Sequence, residues 1–302
     1  MKRHHKMLMG ALVLLATLTV FIWYIQGHPD VVRQLRSTSL KTITLVLALY
    51  AGMTGVLVVI YDLTLRLCGL RIGQKDNVLL TLYSNVVNFF GPFQSGPGFR
   101  MVYLKKRYGV GMAHYLGASV VYYGLFAVIS GLFLLSGLLG VWLTLFSGLV
   151  VTVLMWVLTP HVHRIPRVGK LFPRQLSRGL IMTIGLATTV QLLLVAVIYF
   201  VELRSLHGGI SLSQALVYAG AANFSLFVSV TPGALGIRES FLVLSNRLHH
   251  IDNTTIITAN LIDRGSYVLF LSIVFVLLVA FHGREQLKQF NAAKSEPSSS
   301  PK

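Results

Sequence analysis

Six stretches of this chain each run for about 20 apolar residues, and that leaves few folds open. Residues 7–25, 42–60, 113–135, 138–158, 180–201 and 256–281 are long enough to cross the hydrocarbon core of a bilayer as helices, with 42–60 continuing toward Leu67. Backbone in lipid must satisfy its own hydrogen bonds, which restricts spanning structures to helices and closed barrels. Continuous apolar runs of this length, without strand-like alternation, select helices. Composition agrees: 12% of residues are charged and 54% hydrophobic, against roughly 25% charged in soluble domains. The expected fold is all-α, a polytopic membrane helix bundle. The start, MKRHHK before an apolar run, resembles a signal peptide. It has no small-x-small site before Gln26, so it reads as a retained first span.

Two further apolar segments, 78–93 and 215–230, are shorter and interrupted by glycine and proline. Each leads into a related pattern: an Asn-Phe pair at Asn88 and Asn223, a break, and a Gly-x-Arg restart at Gly98-Phe99-Arg100 and Gly236-Ile237-Arg238. The break residues are Pro92, Gly96 and Gly98 in the first copy, and Pro232, Gly233 and Gly236 in the second. Proline and glycine interrupt the helical ladder, and a restarted helix presents amide N–H groups and partial positive charge at its N-terminus. At membrane depth such backbone is tolerated only inside protein or along a cavity. Each segment is therefore expected to be one arm of a re-entrant hairpin that returns at Gly-x-Arg. A straight crossing is the alternative, and the charges argue against it.

With the N-terminus inside and both hairpins returning to the side they came from, nineteen of the 26 lysines and arginines fall on one face. That face is then cytoplasmic, with both termini on it. Residues 7–135 read as span, span, hairpin, span from the inside, and residues 138–281 read the same from the outside. One integral domain, 1–281, built as an inverted repeat is the expectation, followed by a polar, disordered cytoplasmic tail at 282–302. Inverted repeats with broken helices at matching positions point to a transporter-like binding site. The net charge of +17 lies between apolar spans. It suits anionic lipid headgroups and membrane lipid as partners, and no nucleic acid.

Ionisable side chains at membrane depth need a partner or an aqueous cavity. The candidates are Asp62, Arg100, Arg238, Glu239, Asp263 and Arg264, with Asn88 and Asn223 as neutral hydrogen-bonding groups. Arg100 and Arg238, near restarted helix ends, suit a phosphate or phosphodiester. The plainer reading pairs Arg238 with Glu239 or Asp263. Asp263 and Arg264 are adjacent and point about 100° apart on a helix, so each is expected to face a different neighbour. Asp62 has Arg66 at i+4, the spacing of a local ion pair. Asn88 and Asn223 either contact a headgroup or cap freed backbone, capping being the commoner task. Glu202 and Arg204 read as span ends at an interface. Tyr115, Tyr122 and Tyr123 default to packing and anchoring. The one cysteine, Cys68, and the isolated histidine pairs offer no metal set and no disulfide framework. No phosphate-loop pattern is present, and no cofactor is expected.

The segments PFQSGPGFR, TPGALGIRESFLVL and the DRGSY of the last span resemble the lysylphosphatidylglycerol synthase transmembrane-region family, the flippase-like domain also found in stand-alone YbhN-type bacterial proteins. The likeness covers roughly 7–281, and Tyr61-Asp62 matches the acidic position after the second span. The resemblance implies movement of an anionic phospholipid or a polyprenyl-linked lipid between leaflets of the bacterial inner membrane. In bifunctional members the membrane domain is thought to flip an aminoacylated lipid made by a separate cytoplasmic transferase. This sequence ends about twenty residues after its last span, so no enzyme activity is expected of it. The alternative is a non-transporting scaffold that presents lipid to an envelope-biosynthesis enzyme or glycosyltransferase. A headgroup-modifying enzyme is a third reading, and a homo-oligomer stays open.

Overall fold

The computed structural model describes residues 38–90, 95–164, 177–227, 234 and 236–295. The first expected span and the break residues Pro92, Pro232 and Gly233 lie outside them. The described residues are helical with no strand. The chain forms α1 (Leu40–Leu67), α2 (Gln74–Phe90), α3 (Gly96–Tyr108), α4 (Met112–Leu158) and a 3-10 turn, Thr159–Arg164. It continues as α5 (Arg178–Leu206), α6 (Leu212–Phe224), the 3-10 turn Ser225–Phe227, α7 (Ile237–Leu244), α8 (Asn246–His249) and α9 (Asn253–Ser295). Among the described residues four helical stretches are long and apolar enough to cross a membrane: Leu40–Leu67, Met112–Val162, Arg178–Leu206 and Asn253–Leu278.

Two sequence boundaries move. The expected spans 113–135 and 138–158 belong to one assigned helix, α4, which breaks at Gly140 with φ 72° and ψ 168°. A straight helix would hold Leu132 and Gly148 some 24 Å apart at about 1.5 Å per residue. Instead the Leu132 Cδ1 lies 3.8 Å from where a Gly148 Cβ would stand, so the two arms fold back on each other. The positive φ is cheap only for glycine, which puts the reversal at Gly140 and not at 136–137. At the other end, α9 runs to Ser295, so the first part of the expected disordered tail is helical.

The spans begin where a side chain satisfies the first amides: Ser39 Oγ accepts from Thr42 N in α1, and Ser177 Oγ from Leu180 N in α5. Around them, α2 (17 residues), α3 (13), α6 (13) and α7 (8) are all too short to cross a bilayer. In packing, α1 lies along α5 and α4 along α6, while α5 contacts both arms of this arrangement and α9 closes over α1, α2 and α5. Ile60, Ile184, Leu192 and Leu271 fill the main core, and Tyr218, Leu242 and Ile256 anchor a second one. The α4–α6 seam is a backbone contact: a Cβ on Gly220 would fall 2.3 Å from the Leu134 nitrogen. Outside, apolar side chains such as Val120, Trp142 and Leu186 are exposed, as a lipid-facing surface requires.

Candidate functional site

The second restart is built around two buried ion pairs. Gly236 takes φ 79°, the turn that lets α7 begin, and its N–H donates to Glu239 Oε2 at 2.7 Å. Glu239 thus caps its own helix, so the amide end expected to attract an anion is already occupied. Arg238 NH2 donates to Asp263 Oδ2 at 2.7 Å and to the Tyr199 hydroxyl at 2.5 Å. Tyr50 OH donates to the other oxygen of Asp263. Arg264, next to Asp263 on α9, turns to Glu239 instead, its Nε 2.9 Å and its NH2 2.7 Å from Oε1. Asn260 Nδ2 donates to the same oxygen at 2.5 Å. The roughly 100° between successive helical residues separates Asp263 from Arg264, as the sequence implies.

The first restart is built differently. Gly96 N lies 3.3 Å from Asn88 Oδ1, and Ser95 Oγ donates to Val87 O at 3.1 Å, so α2 ties down the start of α3. A Cβ on Gly96 would meet Asn88 Cβ and Ser84 O, both at 2.8 Å. Close approach is why glycine stands there. Arg100 is 5% exposed, and its guanidinium carbon sits 3.3 Å from the centroid of the Tyr61 ring. Tyr115, Tyr122 and Tyr123 supply its remaining electrostatic neighbours. Among the described residues no carboxylate pairs with Arg100, and its Nε has no hydrogen-bond partner.

Between the two restarts lies a cavity of about 230 Å³. Asn88, Asn223, Arg238, Asp263 and Arg264 reach its wall, joined by Asn85, Gln191 and the rings of Tyr61, Tyr122, Tyr123 and Tyr267. The side-chain nitrogens of Asn85 (7% exposed) and Asn223 (6%) have no hydrogen-bond partner among the described residues. Tyr122 OH donates to Gln191 Oε1 at 3.1 Å, a polar wall placement that its packing default missed. Three of the expected site residues stay off the wall. Arg100 lies behind Tyr61, Glu239 behind Arg264, and Asp62 is partly exposed in an i,i+4 pair with Arg66 at 2.6 Å.

Matching positions recur in the two halves. Tyr61 lies 21 residues beyond the first residue of α1, and Tyr199 lies 21 beyond the first of α5. Each meets the arginine of its own restart. Tyr122-Tyr123 and Asp263-Arg264 begin 10 residues into α4 and α9 respectively. The model of the lysylphosphatidylglycerol synthase transmembrane region matches residues 7–274. The chain belongs to this family. No curated protein matches it. The matched range of this lysylphosphatidylglycerol synthase transmembrane region contains both restarts and every cavity residue.

One buried group escaped the sequence reading. Glu202, expected as a span end at an interface, is 0% exposed inside α5, and among the described residues neither carboxylate oxygen has a hydrogen-bond partner. Its spacing from Tyr199, i and i+3 on one helical face, was the available signal. Its nearness to the apolar end of the run concealed it. Arg204, two residues on, is exposed and rests on the Phe200 ring at 5.4 Å.

Proposed function

We propose that this protein moves an anionic lipid, a phospholipid or a polyprenyl-linked lipid, between the leaflets of the bacterial inner membrane. The headgroup would occupy the cavity while the acyl chains stay in lipid. The observation that carries this reading is the cavity itself, walled by arginine, amide and tyrosine groups where helices too short to span meet between long ones. Its electrical balance supports an anion. Arg238 is matched by Asp263 and Arg264 by Glu239, while Arg100 adds a positive charge with no carboxylate beside it. In this reading the matching tyrosine and arginine positions belong to an inverted repeat of six spans and two re-entrant hairpins, with both termini cytoplasmic.

A specific observation favours a second reading. The guanidinium of Arg238 is already held by Asp263 and Tyr199, as a purely structural group would be. A non-transporting partner that presents lipid to an envelope-biosynthesis enzyme would need nothing more. Leaflet sidedness of labelled phosphatidylglycerol and of a polyprenyl phosphate in proteoliposomes separates the two. A transporter accelerates exchange above empty liposomes and loses that acceleration in Arg238→Ala protein that still inserts. A scaffold gives no acceleration for either lipid.

A further inference from the structure

Glu202 takes no part in the ion pairs around the cavity, yet it stands beside them. It lies one helical turn beyond Tyr199, whose hydroxyl holds Arg238. The charged and titratable groups that face it come from each neighbouring element. They are Tyr50 on α1, Tyr218 on α6, Arg238 on α7, Asp263 on α9, and Tyr199 on its own helix. Arg264 acts on the same cluster through Tyr199, and His249 of α8 touches it through the ring of Tyr218 at 5.6 Å. Among the described residues none donates a hydrogen bond to either Glu202 oxygen, and the side chain is fully buried. An ionised carboxylate in that setting has neither a hydrogen-bond donor among the described residues nor solvent contact, and it shares the Arg238 cation with a second carboxylate, Asp263.

We infer that Glu202 is a proton-binding site whose proton is held together with the anionic headgroup in the cavity. This rests on the lipid-translocating reading given above. The charge balance gives the sign. Arg238 with Asp263, and Arg264 with Glu239, sum to zero, which leaves the positive charge of Arg100 for a monoanionic headgroup. A proton on Glu202 preserves that balance. Its loss places a second carboxylate against Asp263, competes for Arg238 and cancels the attraction for the headgroup. Proton and anion therefore favour each other's binding, and by linkage each is retained by the other. An alternating carrier with this site moves the lipid and the proton in the same direction.

The test uses the full-length protein in zwitterionic nanodiscs and a short-chain phosphatidylglycerol, whose phosphodiester keeps one charge across the range. The wild-type dissociation constant is expected to rise about tenfold per pH unit once Glu202 titrates, the signature of one linked proton. Glu202→Gln, a neutral mimic of the protonated acid, is expected to bind as tightly as the wild type at low pH and to show no such slope. A wild type that binds without pH dependence, or a Gln variant that keeps the wild-type slope, overturns the assignment. Infrared difference spectra give an independent reading. A protonated-carboxyl band at neutral pH, absent in Glu202→Gln, supports the site even if this lipid does not bind. That combination would count against the lipid reading alone. A wild type without the band overturns the proton site.

Discussion

Arg100 and Arg238 begin from the same local pattern, a glycine two residues before an arginine at the restart of a broken helix, and end in opposite electrical settings. Arg238 is held by a carboxylate and a tyrosine hydroxyl; Arg100 is stacked on a tyrosine ring with tyrosines around it. The difference traces to one matched position, where α9 supplies Asp263-Arg264 and α4 supplies Tyr122-Tyr123. One side of the cavity is thus electrically paired, while behind the wall of the other stands a buried cation with no carboxylate partner among the described residues. A buried pair resists loss of either member, whereas a buried cation on aromatic rings is held by packing and ring electrostatics.

The sharpest way to break this comparison is to neutralise each half in turn. Arg238→Met leaves Asp263 buried without a cation and is expected to cost about 3–5 kcal/mol, seen as a large drop in the thermal unfolding midpoint in detergent. Adding Asp263→Asn should recover most of that loss, since no unpaired charge then remains. Arg100→Met strands no carboxylate among the described residues and is expected to cost about 2 kcal/mol, the scale of a desolvated cation–π contact. Equal losses for Arg100→Met and Arg238→Met would erase the asymmetry.

Smaller changes sharpen it. Glu239→Gln keeps a side-chain oxygen to cap Gly236 but removes the charge facing Arg264, so about 1.5–3 kcal/mol is expected, the scale of hydrogen bonds to charged groups. Chemical denaturation of Glu239→Gln beside Glu239→Ala, which removes the cap as well, would show whether Glu239 matters through its charge or through its cap. Asp62→Asn, which breaks a half-exposed pair with Arg66, is expected to change stability by less than about 1 kcal/mol. A larger effect would return Asp62 to the site.

Much of the architecture was legible because membrane helices announce themselves by length. Five of the six apolar runs map onto the four candidate spans among the described residues, and the pair that meets at Gly140 was placed a few residues off because a glycine in a long apolar stretch carries no visible sign of φ. The Gly-x-Arg copies located the second restart at Gly236 and the first to within two residues, Gly98 standing inside α3, which already begins at Gly96, and the 100° rule separated Asp263 from Arg264. What the sequence could not supply is which charge meets which. The capping of Gly236 by Glu239 depends on the turn geometry of α7, and the burial of Glu202 depends on α1, α6 and α9 closing around one end of α5. The neutral wall of Asn85, Gln191 and Tyr122 was invisible for the same reason. Such residues are common in membrane helices, and only the packing shows that they face a cavity.

The most direct measurement is inter-leaflet exchange of phosphatidylglycerol in proteoliposomes containing wild type, Arg100→Met, or the paired Arg238→Met/Asp263→Asn variant, each checked for folding first. The account predicts rapid exchange by the wild type and a loss of at least about tenfold, some 1.4 kcal/mol, in folded Arg100→Met. In this account the headgroup would supply the countercharge that Arg100 lacks among the described residues. Undiminished exchange by Arg100→Met would contradict the claim that this buried cation draws the headgroup into the cavity.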